Sequence, residues 1–175
     1  TEPIYVKYHD EEWGQPIHDD RLLFEFLVLE SFQAGLSWLT VLKKRENFRK
    51  AFANFDAKKV SKFDQTKFDA LMQDAGIIRN RLKIEAAINN AQRFLEIQKE
   101  FGSFDKYIWS FTGGTTIVNK PKTLKDLPAK TAISDAMSKD MGLRGFKFRG
   151  STICYAFMQA VGMVDDHLVD CWRKN

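Results

Sequence analysis

An acidic residue at the end of an apolar helical pattern is the side chain whose chemistry most needs an explanation. Glu30 follows the pattern Leu22–Leu29, and burying a carboxylate costs free energy unless it is paired or hydrogen-bonded. The turn Gln33-Ala34-Gly35, Trp38 and the basic run Lys43-Lys44-Arg45 come next. A carboxylate, a stacking ring and a cationic rim together suit a nucleobase flipped out of a nucleic-acid strand. The alternative is an amphipathic helix pair in which Glu30 is a cap and Trp38 belongs to the core.

A tight turn between two helical patterns, at residues 71–84, is a second candidate. We expect Gly76 to adopt a positive φ, so that N–H groups of the turn and of the next helix N-terminus face a phosphate. Positive charge is supplied by the basic residues of this segment, Arg79, Arg81 and Lys83. The pattern is typical of a helix-hairpin-helix, although it has one glycine where a pair is more usual. A plain connection between two helices is the alternative.

Histidine and cysteine side chains near both ends of the sequence could bind a metal ion. His167 and Cys171 are four residues apart, hence on one face of a predicted last helix, and His9 lies in the N-terminal arm. Three ligands leave a zinc site incomplete. Two surface histidines and a terminal thiol are the alternative. Cys154 lies in an apolar helical pattern and is expected in the core.

Helical patterns account for most of the chain, and no alternating strand of useful length interrupts them. We predict an all-α fold with a single domain over 1–175, in which an irregular arm (1–16) precedes the first helix. The predicted helices are 20–30, 37–52, a short turn near Val60, 65–74, 80–101, 104–111, 131–141, 150–163 as the central buried helix, and a last one from Asp165 or Asp166 through Trp172. In 144–149 the basic residues alternate with Phe146 and Phe148, which is typical of a nucleic-acid patch or of a helix start with two core aromatics. We favour the helix start.

Composition places the chain among ordinary globular proteins. Hydrophobic residues make up 44% and charged residues 29%, and no apolar run is long enough for a membrane span. Two cysteines without framework spacing and the lack of a signal-peptide pattern predict a cytoplasmic location. The net charge of +4 favours a nucleic-acid partner only weakly, but basic residues concentrate at 43–50, 79–83 and 144–149.

Six blocks in this order resemble the DNA-3-methyladenine glycosylase I family, and they span nearly the whole chain. They are Tyr8-His9-Asp10-Glu11-Glu12-Trp13-Gly14, Leu29-Glu30, Gln33-Ala34-Gly35-Leu36-Ser37-Trp38, Val41-Leu42-Lys43-Lys44-Arg45, Asp74-Ala75-Gly76-Ile77-Ile78-Arg79 and Arg144-Gly145-Phe146-Lys147-Phe148. The resemblance implies a compact helical domain of the helix-hairpin-helix superfamily. It also implies a monofunctional hydrolase that excises 3-methyladenine from alkylated double-stranded DNA and leaves an abasic site.

The same resemblance implies roles for particular residues. Glu30 recognises the base and is the catalytic residue, Trp38 stacks on the base, and Tyr8 and Trp13 line the pocket. Leu36 is the wedge that fills the gap left by the flipped nucleotide. Gly76, Ile77, Arg79 and Lys83 form the DNA-binding hairpin. Many glycosylases of the superfamily use an aspartate downstream of the hairpin, but here 86–95 offers only Asn89, Asn90 and Gln92; a cationic base that leaves readily needs less help.

For the metal, the resemblance implies a structural Zn²⁺ that joins the chain ends through His9, His167, Cys171 and a cysteine upstream of Thr1. We further expect free 3-methyladenine as product, no membrane partner and a monomer. Two other functions stay open. One is a non-catalytic helical DNA-binding module with a structural zinc, and the other is a glycosylase with lyase activity, which needs a lysine in the pocket.

Overall fold

The structure is a computed structural model that describes residues 2–174. Its α-helices are α1 (Pro3–Glu11), α2 (Asp20–Gln33), α3 (Trp38–Leu42), α4 (Arg45–Ala51), α5 (Ala57–Val60), α6 (Gln65–Gln73), α7 (Arg81–Phe101), α8 (Phe104–Trp109), α9 (Ala132–Leu143) and α10 (Ser151–Ala160). Single 3₁₀ turns lie at Ala53–Phe55, Ser110–Thr112 and Leu124–Asp126. Two short parallel strands, β1 (Ile117–Val118) and β2 (Val164–Asp165), pair with Ile117 opposite Val164. The described chain is therefore mostly helical, as predicted.

The most enclosed helix is α2, where we had predicted 150–163. Every residue of α2 from Leu23 to Phe32 is buried, and the helix packs against α3, α7, α8 and α10. Glu25 and Glu30 lie within this buried stretch, although glutamate side chains are seldom fully buried. Packing α2 on all sides fixes the position of everything its side chains contact.

Helix starts were predicted well because capping is a local interaction. The side chains of Asp19, Asp56, Asp64 and Asn80 each accept a backbone N–H of the helix that follows. The longest predicted helix, from Asn80 to Phe101, is present as α7. At the C-terminal end of α7, Gly102 takes a positive φ of 88° and ends the helix.

Three predicted segments differ from the structure. The irregular arm contains α1, a mostly exposed helix that buries Tyr8. The predicted helix 37–52 is broken at Lys43 and Lys44 into α3 and α4. The last predicted helix does not form in the described chain, since Val164–Asp165 is a strand and the residues that follow are turns.

The N-terminal arm crosses the chain at the C-terminal end of α10. Gly14 N donates to Gln159 O and Ile17 N donates to Val161 O, each at 3.0 Å. At the crossing Gly162 has a φ of +72°, and a Cβ there would lie 2.3 Å from the carbonyl carbon of Gln15. The arm is therefore held against the end of α10 by backbone contact. Within residues 2–174, none of the helices combines the length and the apolar character needed to cross a membrane.

Candidate functional site

A cavity of about 560 Å³ lies beside the C-terminal half of α2. All four residues predicted to contact a base line it, namely Tyr8 and Trp13 from the arm, Glu30 from α2 and Trp38 from α3. Its remaining wall comes from α10, from 124–127 and from 166–171. The fold thus brings together side chains from both ends of the sequence.

Glu30 is the buried acid of this cavity. It is 4% exposed, and burial raises the pKa of its carboxyl to about 8, with no hydrogen bond or cation of the described residues offsetting that effect. A buried acid without a partner is costly in a fold. Because the carboxyl lines a cavity, a ligand bound there is positioned to supply the missing partner.

Aromatic rings form the walls next to Glu30. The ring of Tyr8 lies 5.3 Å from that of Trp38, centroid to centroid, and Phe26 stacks with Trp38 at 6.4 Å and 21°. Burial, reinforced by the nearby Glu30 carboxylate, raises the pKa of Tyr8 well above its usual value, so its hydroxyl stays protonated. The Trp13 ring meets the His167 ring edge-on at 4.7 Å. These faces suit a flat, electron-poor ligand.

The basic run after Trp38 does not form the cationic rim that we predicted. Arg45 is buried and donates through Nε to Glu25 Oε1 at 2.6 Å and through Nη1 to Glu12 Oε2 at 2.7 Å. Lys43 pairs with Glu2 at 2.9 Å, and Lys44 donates to Ala75 O at 3.1 Å. Lys43 stays half-exposed in its ion pair, whereas Arg45 is buried and joins the end of α1 to α2.

Asp166 is a second buried acid of the cavity that the sequence did not reveal. It is 2% exposed and accepts from Asn119 Nδ2, Tyr155 Oη and Gln159 Nε2 at 2.7 to 2.8 Å. We had expected it, or Asp165, to cap a helix. Its donors come from distant parts of the sequence, so no local pattern could have indicated this role.

The predicted wedge, Leu36, lies in the turn that follows α2. Gly35 has a φ of +77° with open space around it, and Leu36 is 38% exposed. Gln33 Nε2 donates to Leu36 O at 3.0 Å. Lys83 Nζ donates to Phe32 O at 2.8 Å. These hydrogen bonds therefore hold the backbone of the turn, while Leu36 is exposed.

Lys83 does not lie on a DNA-facing surface, which corrects its predicted role. It is 7% exposed, and its Nζ bonds two carbonyls at the end of α2, those of Phe32 and Ala34. Its position on the first turn of α7 points it into the molecule, because it lies one turn before the buried Ala86 and Ala87. Arg79, by contrast, is exposed.

The turn at 74–80 is built differently from our prediction. Gly76 does not take a positive φ; its N–H donates to Asp74 Oδ1 at 2.8 Å, and a Cβ would lie 2.9 Å from that oxygen. Ile77 is buried and anchors the turn. A side chain at position 76 would lie too close to Asp74, so this close approach, and not the backbone conformation, requires glycine.

A second hairpin, at 144–150 between α9 and α10, carries the backbone features that we had expected at Gly76. Gly145 has a φ of +85° and Phe148 a φ of +48°. Asn90 accepts from Lys147 N at 2.8 Å and donates to Lys147 O at 2.9 Å, and Asn89 donates to Gly145 O at 2.9 Å. The two asparagines of α7 therefore hold this hairpin. Phe146 is buried as predicted, but Phe148 is only half-buried and the next helix begins later, at Ser151.

The predicted zinc site is wrong. Within residues 2–174 no group of three or more His, Cys, Asp or Glu side chains is arranged to hold a metal ion. His9 Nδ1 pairs with Asp10 Oδ1 and His167 Nδ1 with Asp165 Oδ1, each at 2.8 Å, and Cys171 Sγ lies 3.8 Å from His9 Nε2. The helix that would have put His167 and Cys171 on one face is not formed. Cys154 is buried as expected.

Comparison with known proteins identifies the family. The methyladenine glycosylase family model matches residues 1–174. The chain is 52% identical to the DNA-3-methyladenine glycosylase of Haemophilus influenzae, over 96% of this chain and 91% of that protein, and 50% identical to DNA-3-methyladenine glycosylase 1 of Escherichia coli, over 97% and 91%. A solved structure of the Staphylococcus aureus 3-methyladenine DNA glycosylase I, described as showing the basis of 3-methyladenine recognition, is 40% identical, with a TM-score of 0.97 over 100% of this chain and 93% of that one.

These comparisons place the helical fold among DNA glycosylases, and the chain belongs to the methyladenine glycosylase family. The resemblance recognised in the six sequence blocks is confirmed.

Proposed function

We propose that this protein is a DNA repair glycosylase that flips 3-methyladenine out of alkylated duplex DNA and hydrolyses its N-glycosidic bond. The observation that carries the proposal is Glu30, a buried acid without a partner in an aromatic cavity of about 560 Å³. A methylated adenine still attached to deoxyribose is cationic. A carboxylate in a dry pocket favours that cation over a neutral adenine of the same shape.

The reaction needs little proton transfer to the base. When the bond between C1′ and N9 breaks, the bonding electrons neutralise the base, which leaves as 3-methyladenine. Water adds its oxygen to C1′, loses a proton to solvent and leaves an abasic site. Glu30 recognises the base and stabilises the positive charge that shifts from the base to the sugar in the transition state.

Stacking supplies the remaining selectivity. Trp38 and Tyr8 lie at the cavity with their ring centroids 5.3 Å apart, and Trp13 closes the side formed by the arm. An aromatic face attracts a cationic ring more strongly than a neutral one. Undamaged adenine is neutral, so it stacks less strongly on these rings and is not attracted to the charge of Glu30.

The DNA-binding surface includes the turn at Leu36 and the hairpin of Gly76, Ile77 and Arg79. Leu36 fills the space of the flipped nucleotide, and Arg79 is exposed for a phosphate contact. The 144–150 hairpin adds Lys147, an exposed lysine beside a helix N-terminus without a side-chain cap.

The alternative functions find less support. A non-catalytic DNA-binding module has no use for a buried acid that, like Glu30, has no partner among residues 2–174. A lyase needs a lysine nucleophile, but none of the described residues that line the cavity is a lysine. The buried Lys83 has a lowered pKa because of desolvation, yet its amine is bonded to carbonyls. We therefore propose a monofunctional enzyme.

The test is incubation with methylated duplex DNA, followed by chromatography of released bases and electrophoresis of the DNA. We expect 3-methyladenine and one abasic site per base, in strands that stay uncut until they are treated with alkali. Strand cleavage without alkali would contradict monofunctional action. Absence of released base from a preparation that binds DNA would support the non-catalytic module.

A further inference from the structure

The mouth of the cavity carries an exposed leucine with no role in the proposed mechanism. Leu124 is 74% exposed, yet it lines the cavity together with the half-buried Leu127, three residues further on. It belongs to a chain segment remote in sequence from the turn that carries Leu36. A single exposed leucine needs no explanation, but two leucines on one turn at the mouth of a base-sized cavity do.

This turn is rigid by construction. Thr123 and Asp126 form a capping box around the 3₁₀ turn Leu124–Asp126, and Asp126 Oδ2 accepts from the N–H groups of Lys122 and Thr123 at 2.9 and 2.8 Å. These backbone hydrogen bonds lower the pKa of Asp126, so the cap stays ionised at neutral pH. These hydrogen bonds therefore hold the backbone of the turn that carries Leu124.

The base of the turn is joined to the wall of the cavity. Asn119 N donates to Asp165 O at 3.0 Å, and Val169 N donates to Pro121 O at 3.0 Å. Asn119 also donates through its side chain to the buried Asp166. The turn and the segment 165–169 thus form one unit, and the position of Leu124 relative to the cavity is fixed.

Charge indicates what this surface binds. Lys122 and Lys125 flank Leu124 and are exposed, and Lys120 lies just before them. The ionised Asp126 offsets one of these charges, so three lysines and one aspartate leave the segment 120–126 with a net charge of +2. An apolar side chain between lysines complements a strand whose bases and sugars lie between phosphates.

We propose that residues 122–127, the lysine–leucine lip, are a second DNA-contacting element that holds the strand entering the cavity. Leu124 packs on the sugar and base next to the flipped nucleotide, and Lys122 and Lys125 contact phosphates of that strand. The proposal rests on the proposed function, because it takes the cavity to be the base pocket.

Binding of a duplex that carries a tetrahydrofuran abasic analogue tests the lip without requiring chemistry. For Leu124→Ala we expect Kd to rise roughly tenfold, because a leucine side chain loses its apolar contact area. For the double variant Lys122→Ala/Lys125→Ala we expect the slope of log K against log salt to flatten by about 1.8, since each phosphate contact contributes about 0.9. The affinity for free 3-methyladenine should change less than about twofold in both variants, since the lip contacts DNA and not the base.

Two matched variants provide controls. Leu124→Met keeps an apolar side chain and should bind the duplex as the wild type does, whereas Lys58→Ala removes a charge from the exposed face of α5 and should leave the salt slope unchanged. Wild-type affinity and slope in the lip variants would overturn the proposal. Equal weakening of free base and duplex by Leu124→Ala would also overturn it, by making Leu124 part of the base pocket. A wild-type protein that binds the duplex but releases no base would contradict the proposed function. The duplex affinities of the lip variants would still test whether the lip contacts DNA.

Discussion

At the scale of single residues, Glu30 connects stability to recognition. Its carboxyl is desolvated before any ligand binds, and that desolvation raises its pKa to about 8. The ligand-free protein therefore holds a neutral acid at physiological pH, while a cationic base favours the carboxylate. Binding of the lesion should release a proton from this side chain.

The raised pKa predicts how stability depends on pH. The protonated form is favoured in the folded state, so the contribution of Glu30 is complete below about pH 4.5 and is lost as pH rises towards 8. Over this interval the free energy of unfolding should fall by at most about 1.4 kcal/mol per pH unit through this group.

Urea unfolding of the wild type and of Glu30→Gln between pH 5 and 8 measures this effect. The glutamine variant lacks the titrating group, so the stability of the wild type should decline relative to it as pH rises. Parallel pH profiles for the two proteins would contradict the raised pKa.

The same residue allows recognition to be separated from chemistry. Glu30→Gln keeps the shape but removes the charge, and Glu30→Ala removes both. Free 3-methyladenine should bind more weakly to both variants, and more weakly to the alanine form, because an unpaired donor in a dry pocket costs roughly 1–3 kcal/mol.

Excision should decrease by a moderate factor in both variants, since the bond to an alkylated base is already labile. Single-turnover rates and ligand affinities on the same preparations decide the role of Glu30. A glutamine variant with full ligand affinity but almost no excision would identify Glu30 as an obligatory base that activates water.

At the scale of elements, the sequence predicted interactions that are local in the chain. Asp19, Asp64 and Asn80 cap helices, and each bonds the backbone N–H three residues further along the chain. Glu30 and Trp38 are joined by one short turn, so their common pocket could also be inferred. Lys83 was wrongly predicted to face solvent because a lysine is most often exposed. Only the tertiary fold supplies the carbonyls that accept the hydrogen bonds of its amine.

The C-terminal segment shows the opposite case. Asp166 looks like a helix cap in sequence, but its carboxylate binds side chains from β1's flank and from α10. These long-range hydrogen bonds hold the chain in turns, and the predicted helix with its zinc ligands is lost. Periodicity cannot detect such competition, because it reads one segment at a time.

The hairpin 74–80 gives a prediction at this scale. Arg79→Glu should weaken binding to undamaged and damaged duplex by the same factor and flatten the salt dependence, since a phosphate contact carries no base information. Binding isotherms at several salt concentrations measure both quantities, with Lys58→Glu on α5 as the control for a change of net charge. Unchanged affinity and slope for Arg79→Glu would show that Arg79 makes no phosphate contact.

At the scale of the whole molecule, the arm crosses the chain at the C-terminal end of α10. This contact joins the N-terminal segment to the core. We propose that residues 1–175 form a single domain that unfolds as one unit. In support, Arg45 links the end of α1 to the buried Glu25 of α2, and Gly14 and Ile17 bond the backbone at the end of α10.

Gly162→Ala tests this arrangement. A Cβ at Gly162 would lie 2.3 Å from backbone atoms of Gln15, so the arm must move away. We expect a loss of several kcal/mol and a weaker affinity for 3-methyladenine, because Tyr8 and Trp13 move with the arm.

Gly113→Ala is the matched control. Gly113 also has a positive φ, of 66°, but no atom lies within 4 Å of its Cβ position, so only backbone strain of about 1 kcal/mol is expected. Chemical denaturation and ligand titration of both variants separate the clash from the strain. Equal losses would mean that the arm does not depend on the crossing.

The crossing also determines when the cavity can exist. During synthesis, Glu30 and the rings of Tyr8 and Trp38 leave the ribosome well before Gln159 and Asp166. Both of these later residues line the cavity, and Gln159 O also accepts from Gly14 N of the arm. Until then the acid has no enclosed cavity, and the aromatic side chains of the arm have no surface to pack on. A chain interrupted before β2 would therefore lack the part of the cavity wall that residues 166–171 supply.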